Sequence, residues 1–441
     1  MKKLNILLVS TLIGEGGRYV KHGLGLLSSC LKKEGHRTLI LNDPSRIGAA
    51  LTDFRPEVVG ISGLSNSYPQ MLRCAEATRA FSRRVLIFAG GVAPTLAPDD
   101  FDVEPASHLF DYVCCGEAEI TFMRIMEDYA ATETLPKQRR IKGEVVLDLD
   151  RLPFVDRHGY EKGEAKHRLL QAFSGRMYTM INSRRCRMNC RFCSPASRTI
   201  FGGVKKLRSV DHFLAEIRTL PQSALLMIHD DNLIENHAWA EEFAQKFRPL
   251  ARPFICQGYP GQIVRCVPML EHLKRVGLSG ILVGIESGSD RMLRYMNKGT
   301  TRAVNEESAD VLHRLGIGIQ ANLMFGCPTE TYDEMMETVQ MFNEHIYPAL
   351  PSPAIYTPYP GSAWYEELKQ QGLITIEDYG QYERTAKTSG KIAGVNYADV
   401  QRAISQLRKP SKPTWKRRIL SLGHRLAYRF TRSAARAGHA L

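Results

Sequence analysis

The stretch MYTMINSRRCRMNCRFC, from Met177 to Cys193, joins an apolar run of strand length to three cysteines within eight residues, Cys186-Arg187-Met188-Asn189-Cys190-Arg191-Phe192-Cys193. Short connections between the three thiols let all of them turn toward one metal cluster. A tetrahedral zinc ion would need a fourth ligand, and the nearest candidate, His212, falls outside finger-like spacing. Three thiolates on a four-iron cluster instead leave one iron open.

Toward the carboxyl terminus the same alternation repeats. LLMIHD (225–230), PFICQG (253–258), ILVGIE (281–286), IQANLMF (319–325) and PAIYTP (353–358) are apolar runs separated by helical stretches. One helix follows Ser209, a good N-cap, and carries Phe213, Leu214, Ile217 and Leu220 on one face. Another follows Thr331, which has capping-box spacing to Glu334. Six strand-helix units predict a partial (β/α)6 barrel of TIM type, with its chemistry at the carboxyl ends of the strands.

Toward the amino terminus lies a second alternating series. LNILLVS (4–10), a glycine loop (Gly14-Glu15-Gly16-Gly17), RTLILND (37–43), Val58 to Ser62, VLIFAGG (85–91) and FDYVCCGEAE (110–119) predict a doubly wound, Rossmann-like parallel sheet with helices on both faces. Ligands of such sheets bind beyond the carboxyl ends of the strands. Those ends carry Ser62-Gly63-Leu64-Ser65, Gly90-Gly91-Val92 and Gly116-Glu117-Ala118-Glu119. Each alone reads as a turn, and the three together read as a binding edge. The expected organisation is therefore α/β throughout: a first domain over 1–135, a linker over 136–172 whose Leu152-Pro153-Phe154 packs on the next domain, a barrel over 173–370, and a helical segment with a basic tail over 371–441.

Composition sets the outer limits. With 44% hydrophobic and 24% charged residues among 441, the chain is neither disordered, collagen-like nor a disulfide scaffold. No apolar run reaches the roughly 18 residues of a membrane span. The start, MKKLNILLVSTL, is too short in its apolar part for a signal peptide, so a cytoplasmic location is expected. The net charge of +13 is uneven, because eleven Lys and Arg and no Asp or Glu lie between Gln401 and Leu441, leaving +2 for the first 400 residues. The near-neutral body argues against a nucleic-acid-binding core. In the tail, Trp415, Ile419, Leu422, Leu426 and Phe430 recur at helical spacing among basic residues. That pattern reads as an anchor on the inner face of an anionic membrane, the competing partners being an acidic carrier protein, RNA or the barrel itself.

The pattern Cys-x3-Cys-x-aromatic-Cys, here Cys186, Cys190, Phe192 and Cys193, resembles that of the radical S-adenosylmethionine (SAM) enzymes. The resemblance implies a 4Fe-4S cluster on the three cysteines. SAM would chelate the open iron and be cleaved by one electron, supplied by a reductant such as flavodoxin or ferredoxin, to methionine and a 5'-deoxyadenosyl radical. It also implies that Asp230 and Asp231 hold the SAM amino group, although the family's usual Gly-Gly-Glu is absent. Glu286, with Ser287, would meet the ribose. Gly326 and Pro328, and the Tyr356 to Gly361 loop with Tyr356 and Pro358, would meet adenine. Acidic residues at strand ends are alternatively helix N-caps.

The order of domains over residues 1–370 is similar to that of the cobalamin-binding subclass. By that resemblance Ser62, Gly63, Leu64, Ser65, Gly90, Gly91, Val92, Gly116 and Glu117 cradle cobalamin. The Asp-x-His-x-x-Gly motif that supplies a lower histidine in other cobalamin proteins is missing: His22 follows Val20 at the aspartate position, and Asp156-Arg157-His158 has Glu161 where glycine is needed. The implied activity is methyl transfer to an unactivated carbon of a small-molecule or lipid-like substrate. Alternatives are a non-methylating reaction such as oxidative ring formation on a porphyrin ester, a first domain that has lost cobalamin, and a non-catalytic sensor. Cys256, Cys266 and Cys327 are candidate hydrogen donors or inert core thiols, and His229 a candidate acid or base.

Overall fold

Two parallel six-stranded sheets organise the molecule in the computed structural model, which describes residues 2–12, 20–158, 176–193, 203, 205–383 and 390–409. The glycine loop at 14–17, the end of the expected linker and the basic tail beyond 409 lie outside the described residues. The chain forms two compact units. The first comprises Met1–Glu164, Ser183–Arg208 and Thr357–Ala393, and the second Ala165–Asn182, Ser209–Tyr356 and Gly394–Leu441.

In the first unit the strands are β1 (Asn5–Ser10), β2 (Arg37–Leu41), β3 (Val58–Gly63), β4 (Leu86–Gly91), β5 (Tyr112–Cys115) and β6 (Arg140–Lys142). They pair in the order β2-β1-β3-β4-β5-β6, all parallel. Alternation sends Leu7, Val9 and Ile61 to one face, against Leu51, Met71 and Cys74. Ile6, Leu8, Val58 and Phe88 go to the other, against Leu24, Leu31, Phe122 and Met126. Burial of each large apolar side chain contributes about 1.5–3 kcal/mol, and both faces are covered, as the continuous apolar strands predict.

The second unit contains β7 (Met177–Met180), and the hairpin β8 (Ser183–Arg184) with β9 (Lys206–Leu207) that follows it belongs to the first. Beyond them come β10 (Leu225–Ile228), β11 (Phe254–Gly258), β12 (Leu278–Glu286), β13 (Gly318–Phe325) and β14 (Leu350–Ile355). The order β14-β13-β12-β11-β10-β7 is sequential and parallel, the topology of a partial barrel. Ser209 caps its helix as expected, its Oγ accepting from the His212 N–H at 3.1 Å. Phe213, Leu214 and Ile217 are buried beneath that helix, beside a stack of Trp239, Phe243 and Phe247. Thr331 and Glu334 form the expected capping box. Among the described residues no helix is long and apolar enough to cross a membrane.

Three expectations need correction. The start of the expected linker contributes the edge strand β6, in which only Ile141 of three residues is buried, too short a signal for periodicity to expose. Leu152-Pro153-Phe154 does not pack on the next domain alone: the Phe154 carbonyl accepts from Ser29 Oγ at 2.7 Å in the first domain, while Arg208, inside the stretch expected to form the barrel, lies over its ring. The described residues after 371 are only partly helical, because Ile374 and Ile392 form an antiparallel bridge before the helix Tyr397–Ser405.

Candidate active site

At the carboxyl edge of the first sheet, β3, β4 and β5 open onto a cavity of about 200 Å3. Of the residues expected to cradle cobalamin, Ser62, Gly90, Gly91, Val92, Gly116 and Glu117 line it, whereas Gly63, Leu64 and Ser65 do not. The two glycines of β4 differ in purpose. A Cβ on Gly90 would meet nothing within 4 Å, so that position is open. Gly91 has φ +91°, and its Cβ would come 2.6 Å from Ser62 Oγ, so only glycine fits the backbone there. The loop after β3 is braced by Thr11 and Ser67, whose hydroxyls are 2.9 Å apart, with Ser67 Oγ accepting from the Leu64 N–H at 2.9 Å.

Sequence reasoning missed the cavity's far wall. Leu24 and Leu27 of the helix His22–Lys33, and Phe122 of the helix Glu119–Thr132, line it. Their helical spacing gives no sign that they face a cavity rather than a filled core. Asp156 is taken up by Ser28 Oγ at 2.5 Å and Lys32 Nζ at 2.6 Å. Against the cost of burial, these donors hold its carboxyl below the usual range. Asp156-Arg157-His158 is thus a structural tie.

Glu117, besides lining the cavity, is held by partners within the chain. Its carboxylate is 3% exposed and fully engaged: Oε1 accepts from Arg184 Nη1 at 2.7 Å and Lys206 Nζ at 3.0 Å, and Oε2 from the Val146 N–H. Arg184 Nη2 also donates to Glu119 Oε1 at 2.5 Å. Burial works against the guanidinium charge, yet Glu119 and Glu117 raise its affinity for the proton.

The cysteine loop leaves β8 through Arg185, whose φ of +77° is rare for a side chain of that size. Cys186 is partly buried, Cys190 buried and Cys193 exposed, and none of the ten cysteines forms a disulfide. Among the described residues no three His, Cys, Asp or Glu side chains are already gathered around a metal-sized point. The fit to a cluster therefore rests on donor chemistry, three thiols on one loop. The loop is backed by the helix Ala363–Gln370: Trp364 N–H donates to the Arg191 carbonyl at 3.1 Å, Arg191 pairs with Glu367, and the Phe192 ring lies 6.2 Å from that of Trp364.

In the second unit the expected SAM residues stand at the carboxyl ends of the strands. Asp230 follows β10 and is 1% exposed, its Oδ1 accepting from the Asn182 backbone at 2.7 Å and its Oδ2 from Asn182 Nδ2 at 3.3 Å. Asp231 beside it is exposed. Glu286 closes β12 with φ +64° and receives Lys298 Nζ at 2.9 Å. Ser287 is fully buried and its hydroxyl meets Thr338 Oγ1 at 3.2 Å. It secures the turn to the helix Tyr332–Met341. Gly326 and Pro328 flank Cys327, whose N–H donates to Glu330 Oε2 at 3.0 Å. Tyr356, beyond β14, is 1% exposed and tied by its N–H to the Phe325 carbonyl at 2.9 Å. Pro358 is buried in the first unit.

Burial raises the thiols of Cys256 and Cys327 far above the usual range, which keeps them protonated and disfavours the thiolate. Cys266, also buried, lies 2.9 Å from His237 Nε2. His229 Nδ1 is 3.4 Å from Gln257 Nε2, a structural contact.

Comparison with known proteins agrees with these two edges. The family model of the radical SAM superfamily matches residues 180–342, and that of the B12 binding domain matches residues 15–126. An uncharacterised methyltransferase of Pyrococcus horikoshii is 22% identical over 82% of this chain and 81% of its own length. The anaerobic magnesium-protoporphyrin IX monomethyl ester cyclase of Cereibacter sphaeroides is 23% identical over 81% of this chain and 61% of its own. The bacteriochlorophyllide d C-8(2)-methyltransferase of Chlorobaculum tepidum is 34% identical, over only 26% of this chain and 25% of its own. Among solved structures, the fold is similar to that of the radical SAM methyltransferase TsrM from Kitasatospora setae (TM-score 0.67, 12% identity, 92% of this chain and 89% of that one). It is also similar to that of the cobalamin-dependent radical SAM enzyme OxsB (TM-score 0.63, 15% identity, 94% and 63%).

Proposed function

The chain belongs to the radical SAM superfamily, in the branch that carries a B12-binding domain ahead of the barrel, and from that premise we propose that it transfers a methyl group to an unactivated carbon of a small-molecule or lipid-like substrate. The observation that carries the reading is the pairing, in one chain, of an open cavity at the edge of the first sheet with a three-cysteine loop. When bound, the cluster and SAM supply a hydrogen-abstracting radical, and cobalamin supplies the methyl group.

The chain's own residues supply position. Cys186, Cys190 and Cys193 would bind the cluster, with Phe192 held by Trp364 behind them. Asp230, held by Asn182, and the exposed Asp231 beside it would offer negative charge to an ammonium group. Glu286 accepts from Lys298 through Oε1, leaving Oε2 for a ribose hydroxyl. Gly326 and Tyr356 would offer backbone groups to adenine. The first-unit cavity is open and lined mainly by apolar side chains and glycine backbone. It suits a flat apolar group such as the base of a nucleotide tail.

Incubation of reduced, reconstituted protein with SAM carrying a deuterated methyl group tests the reading without knowledge of the substrate. Label recovered on the extracted corrin, together with 5'-deoxyadenosine, is the expected outcome. Deoxyadenosine with an unlabelled corrin would overturn methyl transfer. The likeness to the cyclase over 81% of the chain favours, as the second reading, a non-methylating oxidation on the same architecture. For partners we propose a flavodoxin or ferredoxin reductant and, through residues 408–436, an anionic membrane surface or acidic carrier protein.

A further inference from the structure

The base of the cysteine loop is closed by an arrangement that does not close itself. Between β8 and β9 the chain makes the excursion that carries Cys186, Cys190 and Cys193, and those strands pair over only two residues each, Ser183 with Leu207 and Arg184 with Lys206. A hairpin so short is not independently stable. It also sets two cations directly opposite one another, which is repulsive. Both are buried, Arg184 at 8% and Lys206 at 6% exposure.

Glu117 resolves the conflict. Its Oε1 is shared by Arg184 Nη1 (2.7 Å) and Lys206 Nζ (3.0 Å), so one carboxylate bridges the two strands. Glu119 takes another arm of Arg184, so that among the described residues two carboxylates face the two cations. Burying four charges is costly even when they are paired, and apolar residues of similar size would serve stability as well. The arrangement makes sense as a device for position. Glu117, on the turn after β5, and Glu119, at the start of the helix that follows, are also wall residues of the first-unit cavity.

We propose that Glu117 is a positioning residue that fixes the stems of the cysteine loop and couples their geometry to occupancy of the cavity. A ligand pressing on Gly116 and Glu117 alters the clamp, and through it the loop that carries the thiols. By reciprocity, the assembled cluster alters affinity for the cavity's ligand. The coupling rests on the cofactors proposed above, whereas the clamp itself needs only the cysteine loop.

The test uses the full chain, reconstituted with iron and sulfide, and measures protein-bound iron retained during exposure to a chelator, with and without hydroxocobalamin. Loss of one partner from a buried charge group is costly, so Glu117→Gln is expected to lose iron at least about tenfold faster than the unmodified chain. Hydroxocobalamin should slow the loss in the unmodified chain and leave it unchanged in Glu117→Gln. The double variant Glu117→Gln/Lys206→Met, which removes the cross-strand repulsion, should recover most of the iron retention. General misfolding of Glu117→Gln would not be rescued in this way, and absence of rescue overturns the clamp. Iron loss from Glu117→Gln at the unmodified rate also overturns it. If the unmodified chain binds no hydroxocobalamin, the reading of the cavity and the coupling fall together, while faster iron loss in Glu117→Gln still upholds the clamp.

Discussion

Both sheets present the carboxyl ends of parallel strands, yet the two edges are built in opposite ways. The first ends its strands in small residues around open space, where a Cβ added to Gly90 touches nothing. The second ends its strands in charged and polar groups that already have partners, Asp230 with Asn182 and Glu286 with Lys298. The first edge excludes side chains so that a bulky group can approach the backbone. The second keeps buried charges satisfied before any ligand arrives, so a ligand must use the remaining lone pairs. Glu117 and Glu119 are the exceptions on the first edge: paired, buried acids that serve the stems of the cysteine loop.

The largest effect separates the edges outright. Cys186→Ala, Cys190→Ala or Cys193→Ala should abolish deoxyadenosine formation, measured by chromatography after reduction with SAM, while the first sheet still retains corrin, its affinity lowered only by the coupling proposed above. Complete loss of both functions would mean that the edges are not separate.

Removal of a paired charge is the next test. Lys298→Met strands Glu286 in a site where its side chain is 12% exposed, and should destabilise the fold by about 3–5 kcal/mol in urea unfolding. The pair Glu286→Gln/Lys298→Met should recover most of that loss. If both variants unfold alike, the pair does not stabilise the second edge.

A pH test sharpens the same point. Glu330 holds Cys327 through one oxygen, while its Oε1 is buried without a hydrogen-bond partner, and burial pushes its carboxyl up to about 8. The folded chain therefore keeps this proton where an unfolded chain, with a value near 4.5, has released it. Its contribution is full below about pH 4.5 and is lost as pH rises through about 8, on the order of 5 kcal/mol in all. Glu330→Gln should flatten that part of the stability profile, measured by urea midpoints at pH 5 and pH 9. An unchanged slope would remove Glu330 as its source.

The smallest effect probes the first edge. Gly90→Leu should weaken corrin retention about tenfold or more by overfilling the cavity, with little change in unfolding midpoint. Gly91→Ala should instead destabilise the fold by about 1–3 kcal/mol through its positive φ. Equal effects of the two would contradict the distinction between an open and a packed glycine.

The strands of both sheets except β6 were legible because each is an apolar run between turn residues, and Cys186, Cys190 and Cys193 because their spacing is so short. The hairpin of β8 and β9 was not, since two-residue strands of charged sequence look like loop. That Glu117, at the cavity wall, also pairs with Arg184 did not show, because the two lie 67 positions apart, a distance no local pattern spans. Phe192 was read as part of the cluster motif, but the ring of Trp364 against it became visible only in the fold. Ser287, placed beside a ribose carboxylate, serves Thr338 through its hydroxyl. Local chemistry shows in local sequence, whereas a buried charge's partner is set by topology.

The central claim is that one chain holds two cofactors on two edges. Anaerobic purification, reconstitution with iron, sulfide and hydroxocobalamin, and quantification per chain test it most directly. The account predicts about four irons and about one corrin per chain; about four irons with no corrin would contradict it.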